Sequence, residues 1–238
     1  RVTKRLLSHF HITYQNLNSY HVHNEADQVN HIIHLLQAGN DVALCSDAGM
    51  PGISDPGYLV VKQAIQNQIK VVALPGASAV TTALVASGLT SNRFVFLGFL
   101  DAKTTKKRQQ LQEWVDYKET LIFYEAPHRI QTTLQILYEV YGDREVVIAR
   151  EITKRYEEYI RFSLAEQNTV DFELKGELVI LVQGAKEKAT AISLKELSIE
   201  EHIAFYSLQN INEKEALKKV AKDRGVSKSE IYQHIHKK

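Results

Sequence analysis

The sequence predicts an α/β protein made of two α/β domains in series, residues 1–91 and 92–186, followed by a small helical tail over 187–238. Three observations predict it. Short apolar runs alternate with amphipathic stretches, the alternation restarts near Phe94, and past Gly184 the composition turns polar and helical to the end.

The chain starts with Arg1 rather than Met and is already helical in pattern from Val2 to Leu7, so a truncated N-terminus lacking the first strand of its domain is expected. Glu25 to Ala38 carries Val29, Ile32, Ile33, Leu35 and Leu36 at helical spacing and stops at Gly39. Asp41–Cys45 reads as a strand that runs into the Gly/Pro/Asp-rich loop Ser46–Gly57, and a helix follows from Tyr58 to about Asn67. Lys70–Leu74 is a second strand, halted by Pro75-Gly76 before the small-residue helix Ala77–Ser87. In the second domain, Phe94–Phe99, Thr120–Tyr124, Glu145–Ala149 and Glu177–Gln183 read as strands and Val170–Leu174 as a hairpin arm. Helices are expected around Arg108–Asp116 and over His128–Tyr141, and helix, hairpin arm and strand together suggest a mixed sheet.

A chain of 238 residues, 44% hydrophobic and 24% charged, has material for a real core and for about two domains. Neither a membrane-length apolar run nor an export signal is read from it. The single cysteine, Cys45, excludes a disulfide framework, fits a reducing cytoplasm, and is expected as a small buried hydrophobe at a strand end. At a formal net charge of +1, nucleic-acid binding has to come from local patches. The histidines show no metal-ligand spacing, and His31 and His34 are expected on a helix surface, so no metal is expected.

In open α/β sheets ligands sit at the carboxyl ends of strands, where this chain concentrates glycine and proline. Loop Ser46–Gly57 presents either a rigid backbone surface to a ligand or a tight turn with helix caps. The small side chains of Pro75-Gly76-Ala77-Ser78 occupy the equivalent place on the next strand, and two such loops together favour a site. No dinucleotide fingerprint and no phosphate loop is present, so a nucleotide-like ligand would be held another way. A third cluster, Tyr124-Glu125-Ala126-Pro127-His128-Arg129, brings a carboxylate, an imidazole and a guanidinium to one strand end. Glu125 and His128 are its acid–base candidates and Arg129 its phosphate contact. Arg150 to Arg155, with Glu151 and Lys154, either faces the same cleft or is a solvated charge run. Lys103, Lys106, Lys107 and Arg108 form a basic cluster expected on a floppy loop suited to phosphate. In the tail, Glu215–Ala221, Gly225–Lys228 and Glu230–Tyr232 read as helix, turn, helix with Ser227 as cap: either a nucleic-acid-binding half or an amphipathic pair packed on the body.

The segments Ser46–Gly57, Leu74–Gly88, Tyr124–Ile130 and Ala149–Lys154 resemble the signature stretches of the ribosomal RNA small subunit methyltransferase I family, within the tetrapyrrole-methylase class. The resemblance implies two α/β domains with S-adenosylmethionine in a cleft between them. It also implies transfer of a methyl group to the ribose 2′-oxygen of a cytidine in the decoding region of small-subunit rRNA, by a cytoplasmic homodimer. Carried over by position, Asp47, Gly49, Met50 and Gly52 form one cofactor wall and Pro75, Gly76, Ala77 and Ser78 a second. Tyr124, Glu125 and Ala126 close over the adenosine, and Gly176 and Glu177 complete the pocket. Glu125 or His128 accepts or aligns the proton, Arg129 and Lys154 place phosphates, and Glu151 orients them. The family's opening strand and Thr-Pro-Ile-Gly-Asn loop have no counterpart here, and Asp101–Thr105 stands where a proline and a basic run are usual. The rival readings are a small-tetrapyrrole methylase of the same fold and a non-enzymatic helix-turn-helix regulator that binds duplex DNA.

Overall fold

The computed structural model describes residues 2–170, 175–186, 194, 197–207 and 211–236. The chain forms two compact units, 1–184 and 185–238. The first begins with helices α1 (Val2–His9), α2 (Glu25–Gln37), α3 (Tyr58–Gln66) and α4 (Ala79–Ser87). It continues through β1 (Phe94–Phe99), α5 (Thr104–Gln112), β2 (Thr120–Glu125), α6 (Ile130–Tyr141), β3 (Glu145–Arg150), β4 (Glu158–Ser163) and β5 (Leu178–Val182). A single 3-10 turn, Pro127–Arg129, joins β2 to α6.

The five strands make one mixed sheet in the order β1-β2-β5-β3-β4, with β1 parallel to β2 and every other pair antiparallel. Its three inner strands, β2, β5 and β3, are apolar without alternation because both faces are covered. On one face Leu121, Phe123, Ile148 and Ile180 pack with Ile130, Leu134 and Leu137 of α6 and Leu111 of α5. On the other, Ile122, Val147, Ala149 and Leu181 pack with Val80, Ala83 and Leu84 of α4. Tyr159 and Arg161 of β4 reach back to α4, Arg161 donating to the carbonyls of Ser87 (3.0 Å) and Ala86 (2.6 Å). Glu125 and Arg150 both stand opposite Leu178. The end of β2, the end of β3 and the start of β5 therefore share one edge of the sheet, and β1 ends there beside Tyr124.

Two expectations for the first 91 residues are corrected. Asp41–Cys45 and Lys70–Leu74 are not strands, and among the described residues no strand precedes Phe94. An extended segment becomes a strand only when a neighbour bonds its backbone, and no ladder reaches these two. Val42, Val72 and Leu74 are correspondingly exposed, and so is Cys45, which was expected buried. Helices α2 and α3 instead pack on each other through Val29, Ile33, Val60 and Ala64. In the second half, β4 was not anticipated, because its run Glu-Tyr-Ile-Arg-Phe-Ser has the polar alternation of an edge strand and follows a charged stretch. Of the expected arm Val170–Leu174, residues 171–174 lie outside the described residues.

The second unit holds α7 (Ile199–Ser207), α8 (Glu213–Arg224) and α9 (Lys228–His236), packed around Leu217, Val220, Ala221 and Ile231. Gly225 ends α8 in the left-handed region at φ 69, and Ser227 caps α9 by accepting from the Glu230 amide at 3.2 Å. His202 on α7 is fully buried, stacked on Tyr206, with Nδ1 accepting from Arg224 Nε (3.2 Å) and Nε2 3.3 Å from Asp223. Burial first, and then the Arg224 charge, hold its pKa below the ordinary 6.5 against the opposing pull of Asp223. A group whose folded pKa is depressed contributes stability above its unfolded value and loses it as pH falls through that value and below. The helices of 199–236 should thus weaken as pH falls below the ordinary 6.5 of an imidazole, while His202→Phe flattens that dependence. Urea titrations of the whole protein, followed by amide signals of these helices, check it.

Candidate active site

The site is assembled at the shared edge of the sheet, from loops whose shapes are set locally. In loop 46–57, Ser46 Oγ lies 3.0 Å from the Ala48 carbonyl and 2.9 Å from that of Gly49, folding the loop back on itself. The Gly57 amide donates to Glu25 Oε1 at 3.0 Å, an oxygen that also accepts from the Tyr20 hydroxyl at 2.9 Å, so α2 pins the end of the loop. The second loop, 74–78, lies directly against it. A Cβ added to Gly49 would stand 3.5 Å from the Ala77 carbonyl oxygen, and one on Gly76 would stand 3.4 Å from Met50 Cγ. Asp47, Gly49, Met50 and Gly52 are thereby brought together with Pro75, Gly76, Ala77 and Ser78. Toward the sheet, a Cβ on Gly98 would stand 3.3 Å from Ser54 Oγ, which joins loop 46–57 to the end of β1.

Tyr124 is half-buried between Phe96 (ring centroids 4.9 Å apart) and Phe99 (5.4 Å). Burial pushes its hydroxyl pKa up, and the negative charges of Asp55 and Glu177 push the same way. Asp55 lies on loop 46–57, and Glu177 immediately precedes β5, whose Val179 stands opposite Tyr124. Beside it, Glu151 and Glu177 are laced together: the Glu151 amide donates to the Glu177 carbonyl (3.0 Å) and the Glu177 amide to Glu151 Oε1 (2.9 Å). Lys154 Nζ bridges them at 2.8 Å from Glu151 and 3.0 Å from Glu177. The Lys154 hydrogen bond, then that of the Glu177 amide, lower the Glu151 pKa, and both carboxylates raise that of Lys154. Gly176, at φ 88, is required here, because a Cβ would fall 2.5 Å from the Glu151 side chain. Tyr124, Ala126, Gly176, Glu177, Glu151 and Lys154 consequently share one edge.

Four expectations change. The Glu125 side chain is wholly enclosed: Oε2 accepts from Lys107 Nζ (2.9 Å) and Thr133 Oγ1 (2.5 Å), and Oε1 accepts from the Ala126 amide (2.9 Å). With its oxygens occupied and no solvent access, Glu125 is an anchor rather than a proton acceptor. Lys107 is buried with it and cannot reach RNA, since a buried ammonium is retained only where it is paired. The run Lys103–Arg108 is not a floppy loop either. It enters α5, where Arg108 pairs with Glu139, leaving Lys103 and Lys106 exposed. Arg129 is committed to the protein, donating to the carbonyls of Leu100 (2.6 Å) and Asp101 (3.0 Å), with Nε 3.1 Å from Glu125 Oε1. His128, on the 3-10 turn between β2 and α6, remains exposed.

Sequence reasoning did not single out Asp55, Phe99 or Thr133. A signal existed for the burial of Lys107: it lies one helical turn before Leu111, on the apolar side of α5.

A profile of the Tetrapyrrole (Corrin/Porphyrin) Methylases matches residues 1–167. The chain belongs to this family. Within it, the chain is 45% identical over 240 residues to Ribosomal RNA small subunit methyltransferase I of Halalkalibacterium halodurans, covering 99% of this chain and 83% of that protein. The proteins of the same name from Bacillus subtilis (40%, 99% of this chain, 82% of that protein) and Synechocystis (36%, 98% and 84%) are similar along the same length. Relatives bearing the small-subunit rRNA methyltransferase name thus match almost the whole chain, as the signature loops implied. Among solved structures, the methyltransferase CobJ shares the fold at TM-score 0.51 and 21% identity, covering 68% of this chain and 72% of that one. Diphthine synthase does so at TM-score 0.50 and 14% identity, covering 76% and 73%.

The methylase edge depends on the Lys107–Glu125 pair, and removing one partner strands the other charge in the core. Lys107→Ala should cost about 3–5 kcal/mol and lower Tm by about 10 °C. Lys103→Ala and Lys106→Ala, at exposed positions, should change stability by less than about 0.5 kcal/mol. Scanning calorimetry of the three variants checks this.

Proposed function

We propose that this protein transfers a methyl group from S-adenosylmethionine to small-subunit rRNA, at the ribose 2′-oxygen of a cytidine in the decoding region. Supporting this reading is the convergence of two touching glycine-rich loops and the Tyr124–Glu177 edge in a tetrapyrrole methylase whose rRNA-methylating relatives match almost the whole chain. Residues 1–91 and 92–186 are its two halves, with the cofactor between them.

The residues fit that cofactor. It carries a cationic sulfonium, ribose hydroxyls and an adenine but no phosphate. Among the described residues the edge offers Asp47, Asp55, Glu151 and Glu177, with Lys154 bridging the last two, bare backbone at Gly49 and Gly76, and aromatic faces at Tyr124 and Phe99. A phosphate-binding edge would show the opposite charge balance. Asp47, Gly49, Met50 and Gly52 with Pro75–Ser78 hold one side of it, and Tyr124, Ala126, Gly176 and Glu177 the other. When bound, it supplies a methyl group on a good leaving sulfur, so the chain's residues chiefly have to align the ribose oxygen in a dry site. His128, the exposed acid–base group beside the Ala126 turn, would take the hydroxyl proton when the methyl group that the cofactor would supply is transferred to the ribose oxygen. Lys103 and Lys106 on α5 meet RNA phosphates. The cytoplasm and a homodimer belong to the same reading, the latter favoured by exposed Val72, Leu74 and Val85.

The test is transfer of labelled methyl from S-adenosylmethionine to small ribosomal subunits that lack decoding-region methylation, followed by nuclease mapping. Label on a cytidine ribose is expected. Label only on a tetrapyrrole, or none, would overturn the reading. Asp47→Ala and Gly76→Val should abolish cofactor binding in calorimetry with little change in the apo melting curve, Gly76→Val by thrusting branched carbons toward Met50.

A further inference from the structure

The match to the tetrapyrrole methylases ends at residue 167, whereas the rRNA-methylating relatives match 98–99% of the chain and so include the second unit. That unit sorts its charges. Inward, Arg224 is consumed by the carbonyls of Leu197 and Ser198 and by His202, while Asp223 serves the Tyr206 hydroxyl and His202. Glu230 is taken up by the Ser227 cap, where Ser227 Oγ donates to it at 2.8 Å. Outward, Lys214, Lys218 and Lys222 recur every fourth residue along α8, one above another on the same side, and all three are exposed. Lys228 opens α9, followed along its exposed side by Ser229, Tyr232 (54% exposed) and Gln233, while Ile231 of that helix is buried. Among the described residues none of these four lysines has a carboxylate within ion-pair distance. Asp223 and Arg224 are thus committed to the unit's own core, while the exposed Lys214, Lys218, Lys222 and Lys228 outnumber the exposed Glu213 and Glu215 of α8.

We propose that the outward faces of α8 and α9 form a docking surface for the phosphate backbone of structured RNA. The proposal deepens the rRNA reading above and rests on it for the choice of RNA. Flexible lysines make point-charge contacts that hold a backbone without reading sequence. A-form RNA also closes its deep major groove to a helix, so α9 meets phosphates and sugars along the wide minor groove. Docking is therefore salt-dependent and tolerant of sequence. It fixes how the protein lies on its substrate rather than which base is modified.

The experiment is fluorescence anisotropy of a labelled fragment of small-subunit rRNA with the whole protein, over a salt series, comparing wild type with the combined Lys214→Ala, Lys218→Ala, Lys228→Ala variant. Loss of three phosphate contacts should weaken binding and flatten the log affinity against log salt slope by about three. Arginine at the same three positions should bind as wild type, and the melting curve of the alanine variant should not move, since all three side chains are exposed. Unchanged affinity and slope in the alanine variant would overturn the proposal, as would tighter binding of duplex DNA than of RNA by the wild type. Binding is read here without turnover. A wild type that binds RNA through these lysines yet transfers no methyl group would sink the enzymatic reading and leave the docking face standing. Active wild type and alanine variant with the same KM for ribosomal subunits would sink the docking face alone.

Discussion

The carboxylate of Glu125, sealed in the sheet edge between Lys107, Thr133 and Arg129, is the constraint on which the rest of the site depends. A charge removed from water is tolerable only when its partners are fixed, so the group dictates where three elements must lie. Lys107 draws α5 onto the sheet, Thr133 sets the start of α6, and Arg129 ties the intervening turn to the backbone after β1. The peptide that bears Tyr124 and Ala126 is left no freedom, because the Ala126 amide is itself bonded to Glu125. Rigidity is what a displacement reaction asks of its enzyme, since most of the barrier it can remove lies in holding two atoms in line.

Around that anchor the loops are shaped by backbone rather than by side chains. Loops 46–57 and 74–78 come together at glycines, where an added Cβ would already be in van der Waals contact with the opposite loop, and Gly176 leaves room for the Glu151 carboxylate. Among the described residues, Glu151 and Glu177 at this edge are bridged by Lys154, and further exposed lysines stand on α5 and on the helices of the tail. That placement suits a cationic cofactor and a polyanionic substrate served by one chain.

Much of this was legible in the sequence, for identifiable reasons. The three strands buried on both faces, β2, β3 and β5, and the partly covered β1 announced themselves as apolar runs, and glycine and proline marked the loops at their ends. What sequence reasoning missed depended on partners. The apolar runs at 41–45 and 70–74 have strand composition, yet composition does not supply a neighbouring ladder, and they remain unpaired. Glu125 reads as an acid–base group and Lys107 as a phosphate contact until the 3.6-residue repeat of α5 turns Lys107 inward beside Leu111. Their pairing spans 18 residues, and no local pattern encodes it. Edge strand β4, alternating and charged, gave too weak a signal to be distinguished from the charge run before it.

Replacing Glu125 with Gln, and following melting temperature, cofactor affinity and the pH profile of kcat together, tests most directly whether that carboxylate is an anchor. As an anchor, its loss strands Lys107, lowers Tm and weakens cofactor binding, and leaves the shape of the pH profile as it was. Wild-type melting and affinity, with kcat down about a hundredfold or more and the acidic limb of the profile gone, would make Glu125 the base and contradict the account.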